Sequence, residues 1–479
     1  MPFSEIRHFP PKTLQIQFKM KPKKSPQDQP TAFQLFQSLL ENQINLDHPL
    51  CHLADAIQWS RFDEAYAPFY CDTNGAPGLP TRLMVGLHYL KYTFNLSDEE
   101  LVMRWLENPY WQYFCGETYF QTDFPCDDTS LGVWRRRIGD ENLKLVLEET
   151  VRIAKEKNFV SDKDLSQVVV DTTVQEKNIT FPTDAKLLSR AIIKLAKHCL
   201  SHGIKLRQSY SRKAKQTARK ASGYGAARQF KRLAQSVRDL KNWLGRVLRD
   251  IEKKRKNKTL SPKFLQLIEL ANKLVSQEKN TPKKIYSLHE PEVCCIGKGK
   301  DRVRYEFGQK ASLVMSNNRN WIVNAEDLSD TPYDGHTLSR SILGAEKITK
   351  VMVSEANVDK GYRGHDYKGA ASIRIAGTSN SGLSWSERKR KRRRSAIEPV
   401  IGHLKGDHRL DRCFLKGRHG DAINLIGSAA GFNVRKLLRL LGTGIFSRAL
   451  VSWRVFCRIL PSWPRTFCLS PRRLNCLRM

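Results

Sequence analysis

The sequence predicts an α/β protein whose sheet is interrupted early by a basic all-α insertion and preceded by an all-α N-terminal region. Three observations predict it. The stretch "QVVVDTTV" at 167–174 is apolar and β-branched around a single acid, the composition of a buried strand. Residues 185–280 then turn cationic, with apolar positions recurring every three or four residues. Strand-like and helix-like segments alternate after residue 300, a pattern that packs helices against a sheet.

Taken in order, residues 1–30 are spotted with Pro and Lys and read as a flexible N-terminus, and 31–150 read as a helical domain. Within it, Leu83, Leu87, Leu90 and Phe94 fall at helical spacing. "NLSDEE" restarts a helix, with Ser97 as cap and Glu100 completing a capping box. Two helices with a short polar break fit a helix-turn-helix, and equally a plain helical hairpin. The aromatic run Trp105, Tyr110, Trp111, Tyr113 and Phe114 reads as core rather than as a base-stacking platform. "SLGVWRRRIG" at 130–139 adds a basic helix whose Arg135, Arg136 and Arg137 could meet guanine edges or phosphates. In the insertion, Leu233, Val237, Leu240, Leu244, Val247 and Ile251 mark an amphipathic helical pair with a cationic polar face. Strands follow at "RYEFGQKASLVMSN" and "NWIVNAEDL", a helix at "DGHTLSRSILGAEKI", a strand and glycine turn at "TKVMVSEANVDKGYRG", a short strand at "ASIRIAG", and helix from Ser395 to about Leu440. The tail, 441–479, mixes Trp, Cys, Pro and Arg without clear periodicity.

The 479 residues allow two or three domains, and 40% hydrophobic composition describes a folded chain. A formal net charge of +34 calls for a polyanionic partner. Nucleic acid comes first, because Lys and Arg displace its condensed counterions; an anionic membrane surface is the weaker alternative. No run is long and apolar enough to span a bilayer, and the first residues lack a signal-peptide hydrophobic region. The 11 cysteines include no CxxC pair, which reads as a reducing compartment without a zinc site.

Three acids have context. Asp171 ends a hydrophobic strand, Asp359 follows the apolar stretch "VMVSEANV", and Glu398 opens a late helix. Groups beyond the carboxyl ends of neighbouring parallel strands converge on one crevice. If the strands of Asp171 and Asp359 are neighbours, their carboxylates can meet, and the helix of Glu398 can close the cluster. Hard oxygen ligands suit Mg²⁺, and two ions about 4 Å apart could serve an in-line phosphoryl transfer. Each acid also has a plain reading. Ser395 and Glu398 form a capping-box pattern with Pro399 in the first turn, and Asp171 and Asp359 fit strand ends and turns. Asp334 in "YDGHTL" is a rival second acid, set aside because it starts a helix.

"DTTV", "YDGHTL", "VDKGYRG" and "RRRSAIEPVIGHLKGDHRLDRCFLKG" resemble the bacterial insertion-sequence transposases of the "insertion sequence five" group. "GLPTRLMVGLHYLKYTFNLSDEELVMRWLENPYWQYFCGE" resembles their N-terminal helical domain, and the likeness runs from about residue 30 to 440. The resemblance implies a DDE enzyme with a ribonuclease-H-like catalytic domain over 160–440, carrying the 185–280 insertion, and an N-terminal domain over 31–150 that binds DNA. It makes Asp171, Asp359 and Glu398 the catalytic and metal-binding acids, with two Mg²⁺ or Mn²⁺ ions. Arg394 and Lys405, four before and seven after Glu398, would hold phosphates; a Tyr expected three before Arg394 is Lys391 here. The implied partners are the element ends and target DNA, with at least a dimer on DNA and a place beside the bacterial nucleoid. An inactive DNA-binding remnant and a stand-alone nuclease are the alternatives.

Overall fold

The computed structural model describes residue 21 and residues 38–71, 77–255, 259–278, 280–297, 304–328, 330–379 and 381–459, with side chains to 442. Apart from residue 21, the reading of 1–30 as a flexible N-terminus lies outside the described residues, as does 460–479 of the atypical tail. The chain divides into two compact units. Among the described residues no helix is long and apolar enough to cross a membrane.

The described residues of one unit are 21, 38–71, 77–87, 98–128 and 433–459. Its helices are α1 (Leu40–Gln43), α2 (Pro49–Ala56), α3 (Trp59–Tyr66), the first half of α4 (Thr81–Thr93), α5 (Asp98–Glu107) and α6 (Pro109–Phe114). The aromatic run is core: Trp105, Trp111 and Phe114 are buried, and Trp59 meets Phe114 edge-on at 5.6 Å. Arg82 stacks over Trp59 at 5.0 Å and donates to the carbonyls of Tyr113 and Phe114, so one cation closes the C-terminal end of α6. The first turn of α5 is acidic, with Asp98, Glu99 and Glu100, while Leu101 and Trp105 form its buried side.

The described residues of the other unit lie within 88–97 and 129–432. After α7 (Ser130–Glu156), kinked where Gly139 takes φ 76°, and the short α8 (Asp162–Leu165), the long strand β1 (Gln167–Lys177) enters the sheet. The insertion follows as four helices, α9 (Asp184–Ser201), α10 (Ser211–Ala226), α11 (Phe230–Lys254) and α12 (Pro262–Ser276), rather than the helical pair that the α11 pattern alone suggested. They share a core of their own, including Ile192, Leu195, Leu240, Leu244, Ile251 and Phe264. That core explains why so basic a segment is ordered: the apolar stripes are buried, and Arg212, Lys215, Arg219, Arg238 and Arg249 stay in solvent.

The chain then makes β2 (Cys294–Gly297), β3 (Tyr305–Ser316), β4 (Ile322–Leu328), α13 (Asp334–Thr349), β5 (Glu355–Val358), β6 (Ser372–Ile375), α14 (Trp385–Arg392), α15 (Ile397–Asp407), β7 (Arg412–Cys413) and α16 (Gly417–Ile459). The sheet is mixed. β1 runs antiparallel to β3 and parallel to β5, which runs parallel to β6; β4 and β2 pair with β3, and β7 with the end of β1. Buried Val168, Val169 and Val170 show why β1 lies centrally: all three are fully enclosed. At its far end Lys177 is buried against Glu290 at 3.0 Å and Asp421 at 2.9 Å. This tie fastens the exit of the insertion and the start of α16 to the same strand.

Candidate active site

The parallel register of β1 and β5 pairs Val170 with Val358. The next residue on each strand is an acid, so Asp171 and Asp359 stand side by side on strands about 4.8 Å apart. β5 stops at Val358 while β1 continues against β3, which leaves Asp359 at a strand end and Asp171 half-buried in mid-strand. After Asp359 the chain turns through a short 3₁₀ helix, Lys360–Tyr362, and Gly364 takes φ 76°, a left-handed conformation that suits glycine.

Glu398 reaches this edge from the first turn of α15. Its link to the sheet is Arg394, whose guanidinium donates to Asp359 at 2.6 Å and to Glu398 at 3.1 Å. The capping-box alternative for Glu398 is not what forms. Ser395 sits in a 3₁₀ turn, its hydroxyl donates to the carbonyl of Arg392, and the α15 N-cap, Ala396, makes no side-chain cap bond. Arg394 itself, read from sequence as a phosphate holder, is taken up by carboxylates. Among the described residues no three His, Cys, Asp or Glu side chains gather closely enough to hold a metal ion. The guanidinium occupies the gap between two of the acids.

Asp334 belongs to the same neighbourhood. It starts α13, as its sequence context indicated, yet its carboxylate also accepts from the Thr172 hydroxyl at 2.9 Å and pairs with Lys310 at 2.8 Å. A Cβ on Gly361 would lie 3.3 Å from its Oδ2, so the turn after Asp359 packs directly on it. Burial pushes the Asp171 carboxyl up to about 6. The Thr172 amide and Arg394 oppose this, while Asp359 and Asp334 add to it. Burial likewise raises the Tyr362 hydroxyl, with Asp334 and Asp171 adding to the effect.

Asp171, Asp359 and Glu398 are therefore brought to one edge, with Asp334 as a fourth acid. Lys310 and Thr172 were missed in the sequence. The available signal was a lone Lys just before the largely apolar second half of β3. The other predicted contacts are scattered. Lys405 lies on the last turn of α15, partly exposed. Arg136 is exposed on α7 and Arg137 partly so. Arg135 is only 2% exposed, so it serves packing and does not reach a groove or a phosphate. The spacing is the reason: adjacent helix positions differ by about 100°, so three successive Arg cannot share one face. Lys391, at the position of the expected Tyr, donates to the carbonyl and hydroxyl of Thr378.

A transposase domain (DUF772) matches residues 38–137, which include Arg136 and Arg137. A transposase DDE domain matches residues 357–438, which include Asp359, Arg394, Glu398 and Lys405. The chain is also similar to the "uncharacterized protein ORF8 in nfe locus" of Rhizobium meliloti, with 48% identity over 196 residues, 41% of this chain and 94% of that protein. No solved structure matches.

Proposed function

The chain belongs to the DDE transposases of insertion sequences, and on that premise we propose that it cleaves DNA at the ends of its element and joins the freed ends to target DNA. The observation that carries this reading is the β1–β5 register, which sets Asp171 beside Asp359 where Arg394 links Asp359 to Glu398. The reading includes a ribonuclease-H-like core over 160–440 interrupted at 185–280. It is supported by a long central strand with one antiparallel and one parallel neighbour and acids at the parallel edge.

The donors are hard carboxylate oxygens, and the half-buried Asp171 with its raised carboxyl is a site where a cation would favour ionisation. Asp171, Asp359 and Glu398 would hold divalent ions, with Asp334 in reserve. Bound Mg²⁺ or Mn²⁺ supplies activation of an attacking oxygen and charge stabilisation at the leaving one. The rest falls to the chain's own groups. Arg394 neutralises Asp359 and Glu398 before substrate arrives, and can turn to a phosphate as those carboxylates take up positive charge. Lys310 and Thr172 hold Asp334 in place, and Asp334 supports the turn that aims Asp359. Water would attack the phosphodiester first, and the freed 3′-hydroxyl would then attack the target strand. Transposition requires paired ends, so the working species on DNA is at least a dimer, in the compartment that holds the bacterial chromosome.

The test is incubation of the chain with DNA carrying the element's ends, with and without Mg²⁺. Mg²⁺-dependent nicks at the ends followed by joined products support the reading. Cleavage without joining supports the stand-alone nuclease. Binding without cleavage supports an inactive remnant.

A further inference from the structure

The helix that carries Glu398 ends in a place the acid cluster does not use. From Glu398 to Lys405 is seven residues, about 10 Å along α15. There a cavity of about 730 Å³ opens, lined by Lys405, Arg409, Arg412, Asp411 and Phe414. A second cavity of about 750 Å³ is lined by Phe181, Arg190, Lys194 and His289, and again by Arg412. Arg412 lines both, so the two lie side by side as the halves of one trough, and β7 fixes that residue by pairing it with Glu176 of β1. Five cations stand along it. Asp411 is in its wall, and Glu176 lies near Lys405 and Arg412.

Two aromatic rings lie open in the same walls. Phe414 is 59% exposed and Phe181 64% exposed. Arg409 stands 5.7 Å from the Phe414 ring, and Phe307 holds Phe181 edge-on at 5.4 Å. An exposed Phe alone needs no explanation. Two of them, seated in linked cavities between five cations, match what an unpaired nucleic-acid strand requires: charge for the backbone and ring faces for the bases. A duplex, with its bases already stacked, would engage the cations and leave the rings idle.

We propose that this trough binds an unpaired DNA strand, with bases stacking on Phe414 and Phe181. Resting on the transposase reading, it takes the strand close to the cut, about 10 Å along α15 from Glu398 and about 17 Å along β1 from Asp171 to Glu176.

The experiment uses the full chain, an oligothymidine of about twelve nucleotides and a duplex of the same length, with binding followed by fluorescence anisotropy. Phe414→Ala and Phe181→Ala should each weaken oligothymidine binding roughly 5- to 100-fold, leave duplex binding within about twofold, and lose nothing when Tyr replaces Phe. Unchanged oligothymidine binding in both Ala variants overturns the proposal. So does an equal loss on duplex, or a Tyr variant as weak as Ala. The outcome is separable from the transposase reading: a chain that never cuts element ends, yet binds single strands through these rings, keeps the trough and loses the activity.

Discussion

At the scale of single residues, the acids carry the account. Asp171→Asn, Asp359→Asn and Glu398→Gln should each abolish cleavage, by three or more orders of magnitude on a gel of end-labelled DNA, and leave duplex affinity nearly unchanged. If Asp334→Asn is dead while Asp359→Asn cuts, the second acid has been misassigned. Asp171→Asn should also stabilise the metal-free protein at neutral pH. Its folded carboxyl titrates near 6 against an ordinary 3.8, so the folded chain holds the extra proton between those values. Stability therefore falls as pH rises through that window, by up to about 3 kcal/mol, and the cost is complete above pH 6. Melting curves should show the variant with the higher Tm at pH 7.5 and no advantage at pH 4. A lower Tm at both would mean the charged form is compensated in the fold. That Asp171 and Asp359 could adjoin was legible because each follows an apolar strand pattern. Arg394 was legible as a residue but not as a role, since an ion pair across 35 positions to Asp359 leaves no local trace. Asp334 misled for the opposite reason: a helix-start residue explains itself locally, and its bonds to Thr172 and Lys310 depend on the sheet.

At the scale of elements, the insertion is the clearest case of charge and core dividing one sequence. Its outward cations should track DNA backbone rather than read bases. A protein neutralising about 6–10 phosphates loses roughly 10³–10⁵ in affinity between 50 and 200 mM salt. Replacing Arg212, Lys215, Arg219, Arg238 and Arg249 by Gln should flatten that slope without loss of helix by circular dichroism. A slope that stays steep moves the phosphate contacts elsewhere. The buried stripe of α11 was readable from periodicity. The other three helices were not separated, because their polar faces are as cationic as the breaks between them. The alternation of strand and helix after residue 300 was readable too. The pairing was not: that β1 meets β3 on one side and β5 on the other comes from long-range register, which a single sequence does not print.

At the scale of the whole molecule, recognition of element ends is expected to depend on the N-terminal helical region and on Arg136 and Arg137 of α7. Arg136→Ala with Arg137→Ala should erase the footprint on element ends while keeping salt-sensitive binding to random DNA. Protection that persists would assign recognition to another part of the chain. The Arg135 position shows where charge counting failed: a basic run reads as surface, and only packing reveals which member is buried. The most direct test of the central claim is a time course with DNA carrying both element ends, full-length protein and Mg²⁺, resolved on a denaturing gel. The expected result is nicks that leave 3′-hydroxyls at the ends, then longer products in which those hydroxyls are joined to target DNA, all absent without the ion and absent in Asp171→Asn. Ends that are cut equally well by Asp171→Asn would contradict it.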